Sequence, residues 1–145
     1  MDSFITDNAA LLQAVGFTET NGNGFDTNEN IKNNPQSLLR LLVKHGEYMY
    51  ARFNDIVMIE TCDHFVKVYV ASAEKIRIAL RHSTLNDFLS LLPHNQFLRL
   101  SRFTAVNISR LSAANCNEQF FEFDFRLIIK PKHPITQTIL SKIGQ

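Results

Sequence analysis

The sequence predicts a mainly β domain, antiparallel, with one inserted helix and one C-terminal helix. Three observations carry this expectation. From Leu38 onward, short apolar runs alternate with tight polar breaks, the texture of antiparallel strands and hairpins. The period changes once inside the domain, where Leu85, Phe88, Leu89 and Leu92 fall at i, i+3, i+4 and i+7. It changes again at the end, where Ile135, Ile139 and Ile143 share one helical face.

Taken in order, Leu38 to Val43 and Tyr48 to Phe53 read as strands around the turn Lys44-His45-Gly46-Glu47, in which Gly46 supplies a positive φ. Ile56 to Glu60 and Phe65 to Val70 flank a second turn, Thr61-Cys62-Asp63-His64. Ile76, Ile78 and Leu80 alternate with Lys75, Arg77 and Arg81 in a fifth strand. Thr84 and Asp87 then have the spacing of a capping box ahead of the inserted helix, and Pro93 closes it. Strands follow at Phe97 to Leu100, Thr104 to Leu111, and Phe120 to Ile129 with a bend at Asp124. Pro134 fits the first turn of the last helix.

Residues 1–36 differ in kind. Residues 18–36 are rich in Asn, Gly and Thr and read as a linker, while Asn8 to Val15 has the pattern of two helical turns ended at Gly16. The expected organisation is an acidic, Asn-rich arm at 1–36 and one domain at 37–145. The overall charge of +1 hides a split along the chain. The arm holds five acidic residues against Lys32 alone, a net of −4, which leaves +5 for the domain. The basic end is sharpest over residues 126–145, where Arg126, Lys130, Lys132, His133 and Lys142 face no carboxylate side chain. That is a modest basic patch suited to phosphate.

At 45% hydrophobic and 20% charged residues the chain is neither fibrous nor disordered in composition. It contains no apolar run of the roughly 20 residues a membrane helix needs and no positive n-region at its start, so it reads as cytoplasmic. Cys62 and Cys116 are too few for a disulfide framework and lie in no Cys-x-x-Cys pair. Cys62, Asp63 and His64 adjoin, but neighbours on one turn lack metal-ligand spacing, and no third group orients a Cys62/His64 nucleophile pair. No Gly-rich phosphate loop is present. The expectation is therefore a non-enzyme without metal or cofactor.

The informative stretch is FLRLSRFTAVN, residues 97–107. Leu98 and Leu100 point one way and Arg99 and Ser101 the other, until Arg102 stands where an apolar residue was due and the pattern resumes on a shifted phase. A strand leaving its sheet with polar residues in solvent explains this. So does a turn that presents an arginine to a ligand.

The order of the pieces resembles the LytTR family of bacterial DNA-binding domains. The shared features are the strand IVMIE (56–60), a short polar turn, an aromatic-led strand (Phe65-Val66-Lys67-Val68), and a capped helix ending in Leu92-Pro93. After these comes a segment of the form Phe-x-Arg-x-His-Arg-Ser-x-x-Val-Asn. Phe97, Arg99, Arg102, Val106 and Asn107 match that segment, whereas Ser101 and Phe103 stand where His and Ser are usual. The resemblance spans about residues 38–143. It implies an elongated arrangement of β-sheets that enters successive major grooves of double-stranded DNA through loops, and hence a sequence-specific transcription regulator, here without the receiver domain that usually precedes the fold. The alternative is a protein-interaction module that keeps the fold without the DNA.

The resemblance places contacts in three loops. The first holds Asp63 and His64, the second Ser101 and Arg102 with Arg99 on the adjoining strand, the third Lys130, Lys132 and His133. The family's usual Ser-Arg pair is missing from the third. The chemistry suits the roles: guanidinium forks a guanine edge or a phosphate, hydroxyls bind phosphate, and lysine is a point charge. Arg99 is equally suited to pairing with a sheet carboxylate such as Glu60, and Asn107 to supporting a turn. In the second loop, Arg102 is expected to reach outward while Phe103 returns to the core. Two copies on adjacent DNA sites, or a separate signalling protein, are the expected protein partners.

Overall fold

The structure, a computed structural model, describes residues 37–144; the helix read at Asn8 to Val15 and the rest of the arm lie outside these residues. Strands β1 (Leu38–Lys44), β2 (Glu47–Arg52), β3 (Ile56–Cys62), β4 (Phe65–Ser72), β5 (Lys75–His82), β6 (Phe97–Arg99) and β7 (Thr104–Asn107) form one sheet in the order β2-β1-β5-β4-β3-β7-β6. Strands β8 (Leu111–Asn115), β9 (Phe120–Phe123) and β10 (Leu127–Ile129) form a second, in the order β10-β9-β8. Every strand pair is antiparallel. Helix α1 (Leu85–Leu89) lies between β5 and β6, and α2 (Gln137–Leu140) ends the chain.

The large sheet is buried on both faces around β3, whose sequence therefore runs apolar without alternating. A bulge between Ile56 and Met58 sends Ile56 and Ile59 into one core and Val57 and Met58 into the other. The first core joins β1–β4 to Phe88 and Leu92, which arrive from α1 and its C-terminal turn; Thr84 caps that helix, its hydroxyl accepting from the Asp87 N–H at 3.0 Å. The second core closes the small sheet over β3, β4 and β7, with Phe121, Phe123, Leu127, Ile129 and Ile135 inside.

Four expectations are corrected. The run read as one strand from Thr104 to Leu111 is two strands in different sheets, because Asn107 ends β7. Its buried amide donates to the Ile56 carbonyl at 2.9 Å, and its oxygen takes the Ser109 N–H and hydroxyl at 3.0 and 2.6 Å, which turns the chain. The bend at Asp124 is a full reversal between β9 and β10, with Asp124 and Phe125 both at positive φ. The last helix starts at Gln137 under a Thr136 cap, three residues beyond the turn expected for Pro134. Finally β8, unread in the sequence, is built from the small residues Ser112, Ala113 and Ala114 around a register shift.

Candidate nucleic-acid interface

Three connections carry the residues singled out by sequence. The first is the two-residue turn Asp63–His64, which joins β3 to β4 directly beyond the Cys62–Phe65 pair. Asp63 takes φ +54, a conformation aspartate tolerates better than most residues. Both side chains are exposed.

The second is the turn Ser101–Phe103 between β6 and β7, and it is held from several directions. The Leu100 and Ser101 N–H groups both donate to the Thr104 carbonyl, the Ser101 hydroxyl accepts from the Phe103 N–H at 3.1 Å, and the Phe103 carbonyl accepts from the Thr61 N–H at 2.9 Å. Lys142, reaching back from beyond α2, donates to the Leu100 carbonyl at 2.9 Å. Arg99 completes the support: its guanidinium donates to the Ser101 carbonyl at 3.0 Å, to the Arg102 carbonyl at 3.4 Å, and to the Asn86 side chain of α1. Arg99 does not pair with Glu60. Register explains this, since Arg99 lies opposite Ala105 and Ala105 opposite Ile59, so Arg99 shares the face of Ile59 while Glu60 projects from the other.

Phe103 does not return to the core. It is 37% exposed, its ring stacked on His133 at 4.3 Å between centroids and 7° between planes, and the Arg102 guanidinium sits 5.1 Å from its centroid. The residues form a layer of cation, phenyl ring and imidazole in which Arg102 stays exposed.

The third connection, residues 130–136 between β10 and α2, brings His133 to that stack. It is fixed by Glu60, a carboxylate only 1% exposed, which accepts from the His133 backbone N–H at 2.9 Å and from the Tyr69 hydroxyl at 3.1 Å. Burial, then the adjacent Glu60, pushes the Tyr69 hydroxyl well above the usual phenol range, so it stays a donor. Lys130 and Lys132 are exposed on either side of Pro131.

A cleft of about 560 Å³ runs between the first two connections and α1, and His64, Arg99 and Arg102 all line it, together with His82, Asn86, Asp63 and Asp87. The structure thus brings together His64, Arg99 and Arg102 at the cleft, and Arg102 and His133 through Phe103. It adds Phe103, His82, Asn86 and Glu60, which sequence reasoning did not assign to the site. A lone acid at the end of the apolar run IVMIE was the available sign of Glu60. Asn86, one residue into a capped helix, gave no such sign. Among the described residues, no group of three or more His, Cys, Asp or Glu is placed to hold a metal, and no helix is long and apolar enough to cross a membrane.

Comparison with known proteins agrees with this architecture. No curated protein matches the chain. Among solved structures, the LytTr DNA-binding domain of a Bacillus cereus protein described as a methyl-accepting/DNA response regulator superposes with a TM-score of 0.54 at 18% identity, over 72% of this chain and 91% of that one. At that identity the match establishes the fold. The family model of the LytTr DNA-binding domain matches residues 46–138, which include the first two connections, the cleft, and His133. The chain belongs to the LytTR family of DNA-binding domains.

Proposed function

We propose that this protein is a sequence-specific transcription regulator that reads the major groove of double-stranded DNA through its three connections. In this reading Arg102 makes the principal contact, to a guanine edge or a phosphate, from a turn immobilised behind it. Ser101, His64, Lys130, Lys132 and His133 flank it on phosphates, and Arg99 positions the turn while keeping two N–H groups free for a phosphate oxygen. Two copies bind adjacent sites, and a separate signalling protein supplies regulation. The observation that carries the reading is the exposed Arg102 guanidinium on a turn held by Arg99, Thr61 and Lys142, in a chain of a DNA-binding family.

A second reading, a protein-interaction module on the same fold, is favoured by Asp63 and Asp87, whose carboxylates line the cleft beside Arg102. Binding-site selection from random duplex DNA at near-physiological salt separates the two. A DNA reader enriches a short element and loses affinity with log salt at about −0.9 per phosphate contact. Arg102→Ala then weakens the selected site by about ten-fold or more, the loss of one good bidentate contact. No enrichment by the folded chain refutes the DNA reading and leaves the interaction module.

A further inference from the structure

One face of the large sheet is only partly covered. The second core covers β3, β7, the adjoining part of β4 and Ile76 near the start of β5, and takes in no residue of β1 or β2. Beyond it β1 meets β5 at a single register pair, Leu42 with Leu80, and a groove of about 450 Å³ opens between them. Its floor is apolar, made by Leu42, Leu80, Phe65 and Tyr48, with Tyr48 45% exposed; on the same face Ile78 is 51% exposed. Its remaining lining, Arg40, Arg81 and His82, is basic, and no carboxylate contributes. Arg40 lies 4.8 Å from the Tyr48 ring centroid. A groove with an apolar floor and cationic walls selects an acidic, amphipathic occupant.

We propose that residues 1–17 of this chain dock intramolecularly on that groove. Three observations favour this occupant over any other. The segment combines Phe4, Ile5, Leu11, Leu12, Val15 and Phe17 with Asp2 and Asp7, matching floor and walls, in an arm of net charge −4. It is joined to the groove's own strand, since β1 starts at Leu38 and contributes Arg40 and Leu42. Its tether also reaches: the nineteen residues 18–36 can extend to about 60 Å, against roughly 13 Å from Leu38 to Leu42 along the strand. Docking is therefore a high-effective-concentration, intramolecular event.

The test exploits the tyrosines. The chain has no Trp and three Tyr, so its emission reports Tyr48 and Tyr50 on β2 and the buried Tyr69. Acrylamide quenching is measured on the full chain and on its Leu11→Asp/Leu12→Asp variant, without DNA, so that the outcome is independent of the functional reading above. The changes lie outside 37–145, and a cooperative melt retained by the variant checks that the domain is intact. Docking predicts quenching about two-fold steeper in the variant, as β2 tyrosines lose their cover, with slower amide exchange of β1 and β2 in the wild type. Equal quenching in the two proteins overturns the proposal. Protection that grows with protein concentration, alongside a species of doubled mass, also overturns it and gives the groove to a second copy.

Discussion

Glu60→Ala tests how the fold holds its third connection. Glu60 is 1% exposed and takes two donors, the Tyr69 hydroxyl at 3.1 Å and the His133 N–H at 2.9 Å. Removing the carboxylate deletes two charge-assisted bonds and strands both donors in a dry site. At about 1–3 kcal/mol for each stranded group, with a small cavity added, the loss is about 3–5 kcal/mol. For a chain of this size that lowers Tm by on the order of 10–15 °C. Two milder variants separate the bonds. Glu60→Gln keeps one acceptor and turns an amide N–H toward the other donor, costing about 2 kcal/mol, and Tyr69→Phe leaves the carboxylate one donor short at about 1–2 kcal/mol. Glu60→Ala alone removes the acceptor of the His133 N–H and so releases the 130–136 segment; below the melting range it weakens binding to any DNA selected under the proposed function, and Tyr69→Phe does not. Urea unfolding supplies the stabilities and fluorescence anisotropy the affinities. A cost below about 1 kcal/mol for Glu60→Ala, or equal affinity losses in Glu60→Ala and Tyr69→Phe, refutes the argument.

Asn107→Ala removes three buried or half-buried hydrogen bonds at the end of β7 and is expected to cost about 2–4 kcal/mol in urea unfolding, with Asn107→Asp no better, because a carboxylate cannot donate to the Ile56 carbonyl. Arg110 grips Asp124 through two bonds, at 3.1 and 2.6 Å, and these hold the Asp124 carboxyl below the usual carboxylate range. Its folded pKa is thus the lower one, so its stabilisation is full above the unfolded value and disappears as pH falls through the folded value. The stability difference between wild type and Asp124→Asn is therefore expected to be constant at neutral pH, to shrink once pH falls below about 4, and to vanish only below the depressed folded value, as followed by thermal melting; a difference that persists in strong acid contradicts this. Phe103→Ala removes the ring between Arg102 and His133; the His133 ring protons should lose their upfield NMR shift, at a stability cost of about 1 kcal/mol.

The strands from β1 to β5 and the cap at Thr84 were legible because local rules decide them: short apolar runs between polar breaks, Gly46 in a turn, a threonine ahead of an apolar helical face. What escaped was decided by partners distant in sequence. Ile108 continued an apolar run, yet it is 42% exposed, since the turn is made by Asn107 reaching Ile56, fifty-one positions away. Arg99 and Glu60 looked like partners until register put them on opposite faces. The last helix was begun at Pro134 by a sound local preference, but the Ile135 N–H is taken by Gln119, and Thr136 caps the helix instead. That these residues lie on connections between strands was readable, and the supports of those connections were not.

The phase change at Ser101 has its physical account in those supports. A strand that simply left its sheet would need only polar residues there, and its arginine would be free to sample many rotamers. Here the Phe103 carbonyl is tied to β3, the Ser101 and Arg102 carbonyls to α1 through Arg99, and the preceding Leu100 carbonyl to Lys142 beyond α2, while the aromatic that follows Arg102 is held outside by a second ring. Leaving a phenyl group 37% exposed forgoes part of its burial energy. The return is orientation: the guanidinium lies against a fixed ring face, so less side-chain entropy remains to be lost in the DNA contact proposed for it. The same logic makes Glu60 part of the surface it never reaches. It anchors His133, His133 anchors Phe103, and Phe103 sets where Arg102 stands.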